Sequence, residues 1–287
     1  MAKSNSHKFG QMIGDLLEVS MIKELRPIAE EFNMFLDFKH ARKARSNKKE
    51  VVWIDGEGNK HKLDIVIEEN GDEDNIGNPK AFIELAWRRY AKHSKNKAQE
   101  IAGAIIPLVN KYKQFSPFYG VVLAGIFTKP SIEQLKSQGF NVLHFSFDNI
   151  IDSFKNVGLT INWREDTSEE EIGEYVKFFE NISQEDKKKF INYILEENKQ
   201  EIEEFKNSLR NCFSRTIEKI RIFTLHGTSV EVEYVSEAIE YVLEYNENIL
   251  EHGKLIKYEL YIRYNNGDKI EVEFKDKRDI IRFLNEI

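Results

Sequence analysis

Between Tyr119 and Phe127 the chain reads Tyr-Gly-Val-Val-Leu-Ala-Gly-Ile-Phe, without a charged side chain. A near-continuous apolar run of this length suits a strand buried on both faces, and such a strand needs a layer on each side. That excludes an open two-layer sheet for this part of the chain. It predicts a sheet flanked by helices.

The flanking periodicities agree. Residues 8–36 predict a long helix, with Phe9, Met12, Ile13, Leu16 and Leu17 at helical spacing. Met21, Ile22, Leu25, Ile28 and Phe32 continue the pattern, and Pro27 is placed to kink or split it. A basic stretch from Lys39 to Lys49 follows. Val51–Ile54, a turn through Asp55-Gly56-Glu57-Gly58-Asn59 and a strand around Lys62–Glu68 predict a hairpin. Asn70–Pro79 is a polar loop, and Ala81–Leu85 the next strand. Lys97–Lys113 predicts an amphipathic helix with Ala98, Ile101, Ala102, Ile105 and Leu108 on one face. Ser131–Ser137 and Asp148–Lys155 predict short helices on either side of a strand at Asn141–Phe147. The sum is a mixed α/β fold.

The rest of the chain differs in character. Residues 1–163 carry 23 Lys and Arg against 20 Asp and Glu, a balance of +3, while residues 164–287 carry 19 against 29, or −10. Three regions are expected: a first domain over 1–163, a helical connector over 164–220, and a repeat domain over 221–287. The repeat is strand, turn, strand, helix, read twice. Arg221–Leu225, the turn at His226-Gly227, Val230–Tyr234 and a helix from Ser236 form one copy. Glu259–Arg263, the turn at Asn265-Asn266-Gly267, Ile270–Phe274 and a helix from Asp276 form the other. A small pseudo-symmetric ββαββα domain follows.

Composition narrows function only by exclusion. The single cysteine, Cys212, rules out an internal disulfide and a cysteine-built zinc cage. No apolar run is long enough to span a membrane, and the first residues lack the apolar core of a signal peptide. The expectation is a cytoplasmic protein without a membrane partner. Cys212 is read as a small buried hydrophobe and His144 as a hydrogen-bonded core or edge histidine. No phosphate-binding glycine loop or dinucleotide fingerprint is present.

Two apolar segments contain one acid each. Asp64 sits in Lys62-Leu63-Asp64-Ile65-Val66-Ile67, and Glu84 in Ala81-Phe82-Ile83-Glu84-Leu85-Ala86. A carboxylate among Leu, Ile and Val costs desolvation energy, so it calls for a partner cation or a function. On neighbouring strands the two can share one divalent ion, and hard oxygen ligands suit magnesium. The bland alternative is a pair of edge-strand acids facing solvent. Glu18, with Met21, Ile22 and Leu25 beside it on the helix, is a third acid near a buried face. It either completes the site or sits on the rim of an amphipathic helix.

The segment behind Glu84 concentrates cations and hydrogen-bonding groups. Arg88, Arg89, Lys92, Lys95 and Lys97 can hold phosphates or offset charge in a transition state. Trp87 and Tyr90 either stack on bases or pack locally. Tyr90 and His93 join Arg88 and Arg89 as candidate nucleic-acid contacts. In the earlier basic stretch, Lys43 and Arg45 can track phosphates, or the stretch is a solvated face.

The succession Glu18, Asp64, then Glu84-Leu85-Ala86 in a strand ahead of an amphipathic helix resembles the PD-(D/E)xK nuclease superfamily. The longer run from Glu84 through Tyr90, and Lys92 through Glu100, is similar to bacterial restriction-endonuclease-like proteins. The resemblance covers about residues 8–155. It implies a restriction-endonuclease-like mixed sheet flanked by helices. It also implies a magnesium-dependent DNA endonuclease of restriction or phage-defence type, with manganese able to substitute. Asp64, Glu84 and the Leu85 carbonyl would hold the ion, and Glu18 a second ion or a bound water. The products would carry 5′-phosphate and 3′-hydroxyl ends. Double-stranded DNA is the expected substrate, a homodimer the expected assembly, and a defence-system protein a further partner. The pattern departs at Ala86, where a lysine is usual. Lys92, Lys95 or Lys97 from the following helix can supply that charge, assisted by Gln99. The rival reading is a nuclease fold that has lost catalysis and binds nucleic acid or a partner.

Overall fold

A computed structural model of the chain describes residues 4–161, 167–249 and 253–287, without the side chains of His93 and Ile249. The chain divides into two compact units. Residues 1–111 and 118–209 make up the first, and residues 112–117 and 210–287 the second.

Helix α1 (Asn5–Glu31) starts at Ser4, whose hydroxyl accepts the backbone N–H of His7. Phe9, Ile13, Leu17, Met21, Leu25 and Ile28 recur every three or four residues and are buried. Full burial of such side chains stabilises by about 1.5–3 kcal/mol each. The helix stops at Glu31 rather than running to residue 36, and Asn33 adopts a positive φ of 53°. The expected helical end is instead strand β1 (Phe35–Phe38). The alternation Phe-Leu-Asp-Phe is too short to compete on paper with the helical pattern before it. What settles it is pairing with a partner strand far along the chain.

The predicted hairpin is present as β2 (Val51–Ile54) and β3 (Lys60–Leu63). Its turn is organised by Asp55, whose carboxylate accepts the backbone N–H groups of Glu57 and Asn59, both at 2.9 Å. The second strand does not continue through Glu68. It breaks at Asp64, and β4 (Ile65–Glu69) begins beyond it in a different sheet. Next come β5 (Asn78–Arg88), helix α2 (Ser94–Lys111), β6 (Phe118–Gly125), helix α3 (Lys129–Ser137), β7 (Asn141–Ser146) and helix α4 (Phe147–Asn156).

The main sheet has the order β1-β4-β5-β6-β7. The first two pairings are antiparallel and the last two parallel. Parallel neighbours need a crossover, and α2 and α3 supply it. Strand β6 is buried at seven of its eight positions, as its apolar run predicts. The fold of this unit is a mixed α/β sheet flanked by helices.

Three helices follow: α5 (Glu169–Asn181), α6 (Gln184–Glu197) and α7 (Lys199–Phe213). Residues 164–220 were expected to connect two domains, but this stretch through Leu209 belongs to the first unit. Tyr175 of α5 meets Phe9 edge-on, and Phe190 of α6 packs on Phe154 with ring centres 4.6 Å apart. Phe205 of α7 covers Phe118, in contact with the space above Gly120 that a Cβ would fill. Residues 162–166 lie outside the described residues, so the expected boundary at 163 falls there.

The second unit has the predicted repeat. Strands β8 (Ile217–Thr224) and β9 (Thr228–Val232) precede α8 (Val235–Glu244). After the short pair β10 (Asn248–Ile249) and β11 (Gly253–Lys254) come β12 (Tyr258–Tyr264), β13 (Lys269–Phe274) and α9 (Lys277–Leu284). The sheet order is β13-β12-β8-β9, all antiparallel, so the two copies join through their first strands. Ile220, Ile222, Leu260 and Ile262 of those strands share a core with Val242 of α8 and Ile280 of α9. Strand β8 begins at Ile217, inside the stretch expected to be helical.

Among the described residues, no helix is long and apolar enough to cross a membrane.

Candidate active site

Asp64 occupies the point where the chain leaves the hairpin and enters the main sheet. The register pairs Phe38 with Ile65 and Ile65 with Ile83. One step further along, the chain brings Lys39, Asp64 and Glu84 abreast. The two acids are therefore neighbours across the β4–β5 edge, as strand adjacency predicts.

Their surroundings differ from those of surface carboxylates. Glu84 is 9% exposed, and its Oε1 has no hydrogen-bond partner among the described residues. Burial, then the charge of Asp64, push its carboxyl well above the usual carboxylate range, with Lys97 pulling the other way. Asp64 is also raised, mainly by burial. A hydrogen bond from the Leu85 backbone N–H to its Oδ2, 2.7 Å long, opposes that shift, and so do Lys97 and Lys39. Glu18 on α1 is raised by burial and by Asp64, and Lys39 again works against the shift. Glu18 and Glu84 thus both feel Asp64, while Lys39 acts on Glu18 and Asp64, and Lys97 on Asp64 and Glu84.

Glu18 does not join the pair as a third ligand in a ready-made cage. Among the described residues, no three His, Cys, Asp or Glu side chains are grouped to hold a metal ion. The donors in place are two adjacent carboxylates and the backbone around Leu85. An ion that keeps several waters, as magnesium does, fits such a set, and the unsatisfied Glu84 Oε1 is a donor suited to it.

The three candidate lysines separate clearly. Lys97 is half-buried, pairs with Glu100 at 2.7 Å and acts electrostatically on both Asp64 and Glu84. Lys92 and Lys95 are exposed, and the Lys92 ammonium lies 5.6 Å from the ring centre of Tyr90. Gln99 is exposed as well. Lys95 and Gln99 lie one turn apart on an exposed side of α2, and Lys92 precedes that helix in a 3₁₀ turn.

Beside the acids opens a cleft of about 780 Å³, at the carboxyl end of β5. Ser6, Gly10 and Gly14 of α1 form one wall, and Trp87, Arg88 and Lys97 face it. Arg88 lies 3.9 Å from Glu100, and burial lowers its guanidinium below the ordinary value. Arg89 is 9% exposed, donates to Ser6 Oγ and stacks over Tyr90 with 4.6 Å to the ring centre. Trp87 packs locally, stacked on Phe147 at 6.2 Å. His93 falls in a short 3₁₀ turn at Ala91–His93, and its side chain lies outside the described residues. His144 is hydrogen-bonded to the Gly125 carbonyl at 3.0 Å, as expected of an edge histidine.

The basic stretch at 39–49 is not one surface. Lys43 is exposed and paired with Asp74 at 3.2 Å. Arg45, expected to contact nucleic acid, is instead turned inward. Its guanidinium bonds the Asp37 carboxylate and donates to the His40 carbonyl at 2.8 Å, leaving the side chain 8% exposed. Arg42 is fully buried and grips Glu68 with two bonds of 2.7 and 2.9 Å. It also donates to the carbonyls of Asp72 and Asn75. Arg42 thereby pins the Asn70–Pro79 loop to the sheet. Lys39 was missed as part of the site. The signal was available in Phe35–Phe38, because a strand there puts the next residue beside Asp64.

No family model matches the chain, and no curated protein matches it. A solved structure, protein of unknown function AF1548, is similar with 11% identity and a TM-score of 0.28, over 72% of this chain and 94% of that one. A likeness at that level says nothing of function.

Proposed function

We propose that the first unit is a magnesium-dependent DNA endonuclease of restriction or phage-defence type, hydrolysing phosphodiesters at Asp64 and Glu84. The observation that carries this reading is the buried, unsatisfied Oε1 of Glu84 next to a second desolvated carboxylate. A buried carboxylate whose proton affinity is raised further by an acidic neighbour makes a poor structural group and a good cation ligand.

Asp64, Glu84 and the Leu85 carbonyl would hold the ion, with manganese as a substitute. Once bound, it would polarise the scissile phosphate and lower the pKa of a water. The Leu85 N–H fixes the Asp64 carboxylate by one oxygen, and the other would be available to the ion. Lys97 stands where the usual strand lysine is absent at Ala86, and its charge would offset that developing on phosphorus. Glu18 would orient a water rather than complete the ligand set. Arg88, at the mouth of the cleft, would take a neighbouring phosphate. Double-stranded DNA is the substrate in this reading. Two active sites for two strands make a homodimer the natural assembly, and the acidic second unit is left for dimerisation or a defence-system partner.

Ala86 also supports a second reading, a fold that kept the acids and lost catalysis while binding nucleic acid or a partner. Plasmid cleavage in Mg²⁺, Mn²⁺ or EDTA, beside Asp64→Ala and Glu84→Ala, separates the two. Metal-dependent cutting lost in both variants supports the nuclease. DNA binding unchanged in both, with no cutting by the wild type on modified or unmodified DNA, supports the binder.

A further inference from the structure

The cleft beside the acids is larger than a metal site requires. Its volume of about 780 Å³ lies within the roughly 300–1,000 Å³ common to sites for small organic ligands. The lining carries three cations, Arg88, Arg89 and Lys97, against one carboxylate among the described residues, Glu100. Glu100 is 2.7 Å from Lys97 and 3.9 Å from Arg88, Lys97 also acts on Asp64 and Glu84, and Arg89 feels Glu169 and Glu171, so Arg88 is the cation most open to a ligand. The Arg88 side chain is 33% exposed, partly stripped of water yet still open to the cleft. An anion placed there gains a desolvated cation.

The rest of the lining is not that of a bare phosphate site. Two aromatic residues, Trp87 and Tyr90, and two amides, Gln11 and Asn96, line the same cleft. Opposite, Gly10 and Gly14 are one helical turn apart on α1. A Cβ at Gly10 would come within 3.2 Å of Trp87, whereas at Gly14 it would meet nothing within 4 Å. The wall at Gly14 is therefore empty space that a flat group can occupy. Cation, aromatic side chains, amides and an open wall at Gly14 together match the parts of a nucleotide: phosphate, base face and base edge.

We propose that this cleft binds one nucleotide unit, with its phosphate at Arg88 and its base along the Gly10–Gly14 wall. The proposal rests on the reading of Asp64 and Glu84 as a hydrolytic site and names the substrate class for it. A base still paired in a duplex cannot enter a cleft walled by a helix. The substrate is a DNA strand with an unpaired or extruded nucleotide next to the scissile phosphate. A free nucleoside monophosphate has the same chemistry, and the test distinguishes the two sources.

The test is a fluorescence titration of the full-length protein in EDTA, where no cutting occurs. The probes are a duplex with one unpaired 2-aminopurine, the same duplex fully paired, and free 2-aminopurine deoxynucleoside monophosphate. The unpaired duplex is expected to bind about tenfold more tightly than the paired one, the size of one base-stacking interaction. Gly14→Leu fills the slot without a clash and is expected to erase that difference. Gly103→Leu, at an exposed helical glycine of α2 outside the cleft with equally open space, is expected to keep it. Arg88→Gln is expected to weaken binding and to lower the salt slope by about one. Equal binding of the two duplexes by the wild type, or a preference that survives Gly14→Leu, overturns the proposal. Binding of the free monophosphate but of neither duplex overturns the strand assignment. A protein that prefers the unpaired duplex yet never cuts in Mg²⁺ overturns the nuclease reading alone.

Discussion

The backbone N–H of Leu85 donates to Oδ2 of Asp64 at 2.7 Å, tying the second acidic strand to the first acid. One oxygen of Asp64 is thereby fixed, while across the pair the Oε1 of Glu84 has no partner among the described residues. Asp64 is anchored by Leu85, while Glu84, which feels the backbone N–H of Asp64, keeps one buried oxygen without a partner among the described residues. The predictions about the site follow from that asymmetry.

Divalent ions should stabilise the protein through these two groups. A ligand that binds only the folded state adds about 2.7 kcal/mol at one hundred times its Kd. Thermal melts in EDTA and in Mg²⁺ or Mn²⁺ should show a rise in Tm for the wild type that is lost in Asp64→Asn and in Glu84→Gln. An equal rise in all three proteins would mean that the ion binds elsewhere.

Without the ion, Glu84 should cost stability near neutral pH. Burial and Asp64 raise its carboxyl, so the folded state holds the proton more tightly than the unfolded chain does. The linked stability is complete below the ordinary carboxylate range and is lost as pH rises through the raised value. Glu84→Gln should therefore match the wild type in acid and exceed it by about 0.5–2 kcal/mol in mild alkali, both in EDTA. Urea unfolding at the two pH values measures the difference, and a variant less stable than the wild type in alkali contradicts it.

Lys97 should be the lysine that matters to cleavage. Lys97→Met is expected to lower the single-turnover rate by a factor on the order of 10² or more, the usual cost of losing a charge-stabilising donor. Lys92→Met and Lys95→Met, at exposed positions, should stay within a few-fold of the wild type. A loss confined to Lys92 or Lys95 would falsify the assignment.

Arg42 and Arg45 should act on folding, not on DNA. Arg42→Met leaves Glu68 buried without its partner, which costs about 3–5 kcal/mol. Arg45→Ala should also destabilise, through Asp37, and should leave the salt dependence of DNA binding unchanged. Chemical denaturation beside a salt titration reads both effects. Undiminished stability with a reduced salt slope would return Arg45 to the nucleic-acid surface.

Much of the first unit was legible because its signals are local. The helical period from Phe9 to Ile28, the apolar run of β6 and the two acids set in apolar segments all reside in short windows of sequence, although Asp64 falls at a break before β4 and not within a strand. What was not legible depends on pairing at a distance. Phe35–Phe38 became a strand only because β4 lies beside it, and that strand is what carries Lys39 to Asp64. Lys43 and Arg45 look alike in sequence, and only Asp37, buried by the same strand, draws one of them inward. Lys97 is set apart from Lys95 by the side of α2 it takes, and from Lys92 because the latter precedes that helix in a 3₁₀ turn. In the second unit the repeat was plain, since each copy carries its own turn residues and alternation. Its first strand was entered four residues late, as Ile217–Ile220 directly follow a long charged helical stretch.

The pairing of β8 with β12 closes an edge that each copy of the repeat would otherwise expose. Each strand–turn–strand–helix copy, taken by itself, would leave its long first strand with an open edge. That edge would seek an identical strand in another molecule. In this chain the two copies satisfy each other, so an edge that a lone copy would leave open to self-association lies in the interior of one sheet, and β9 and β13 alone form its rims.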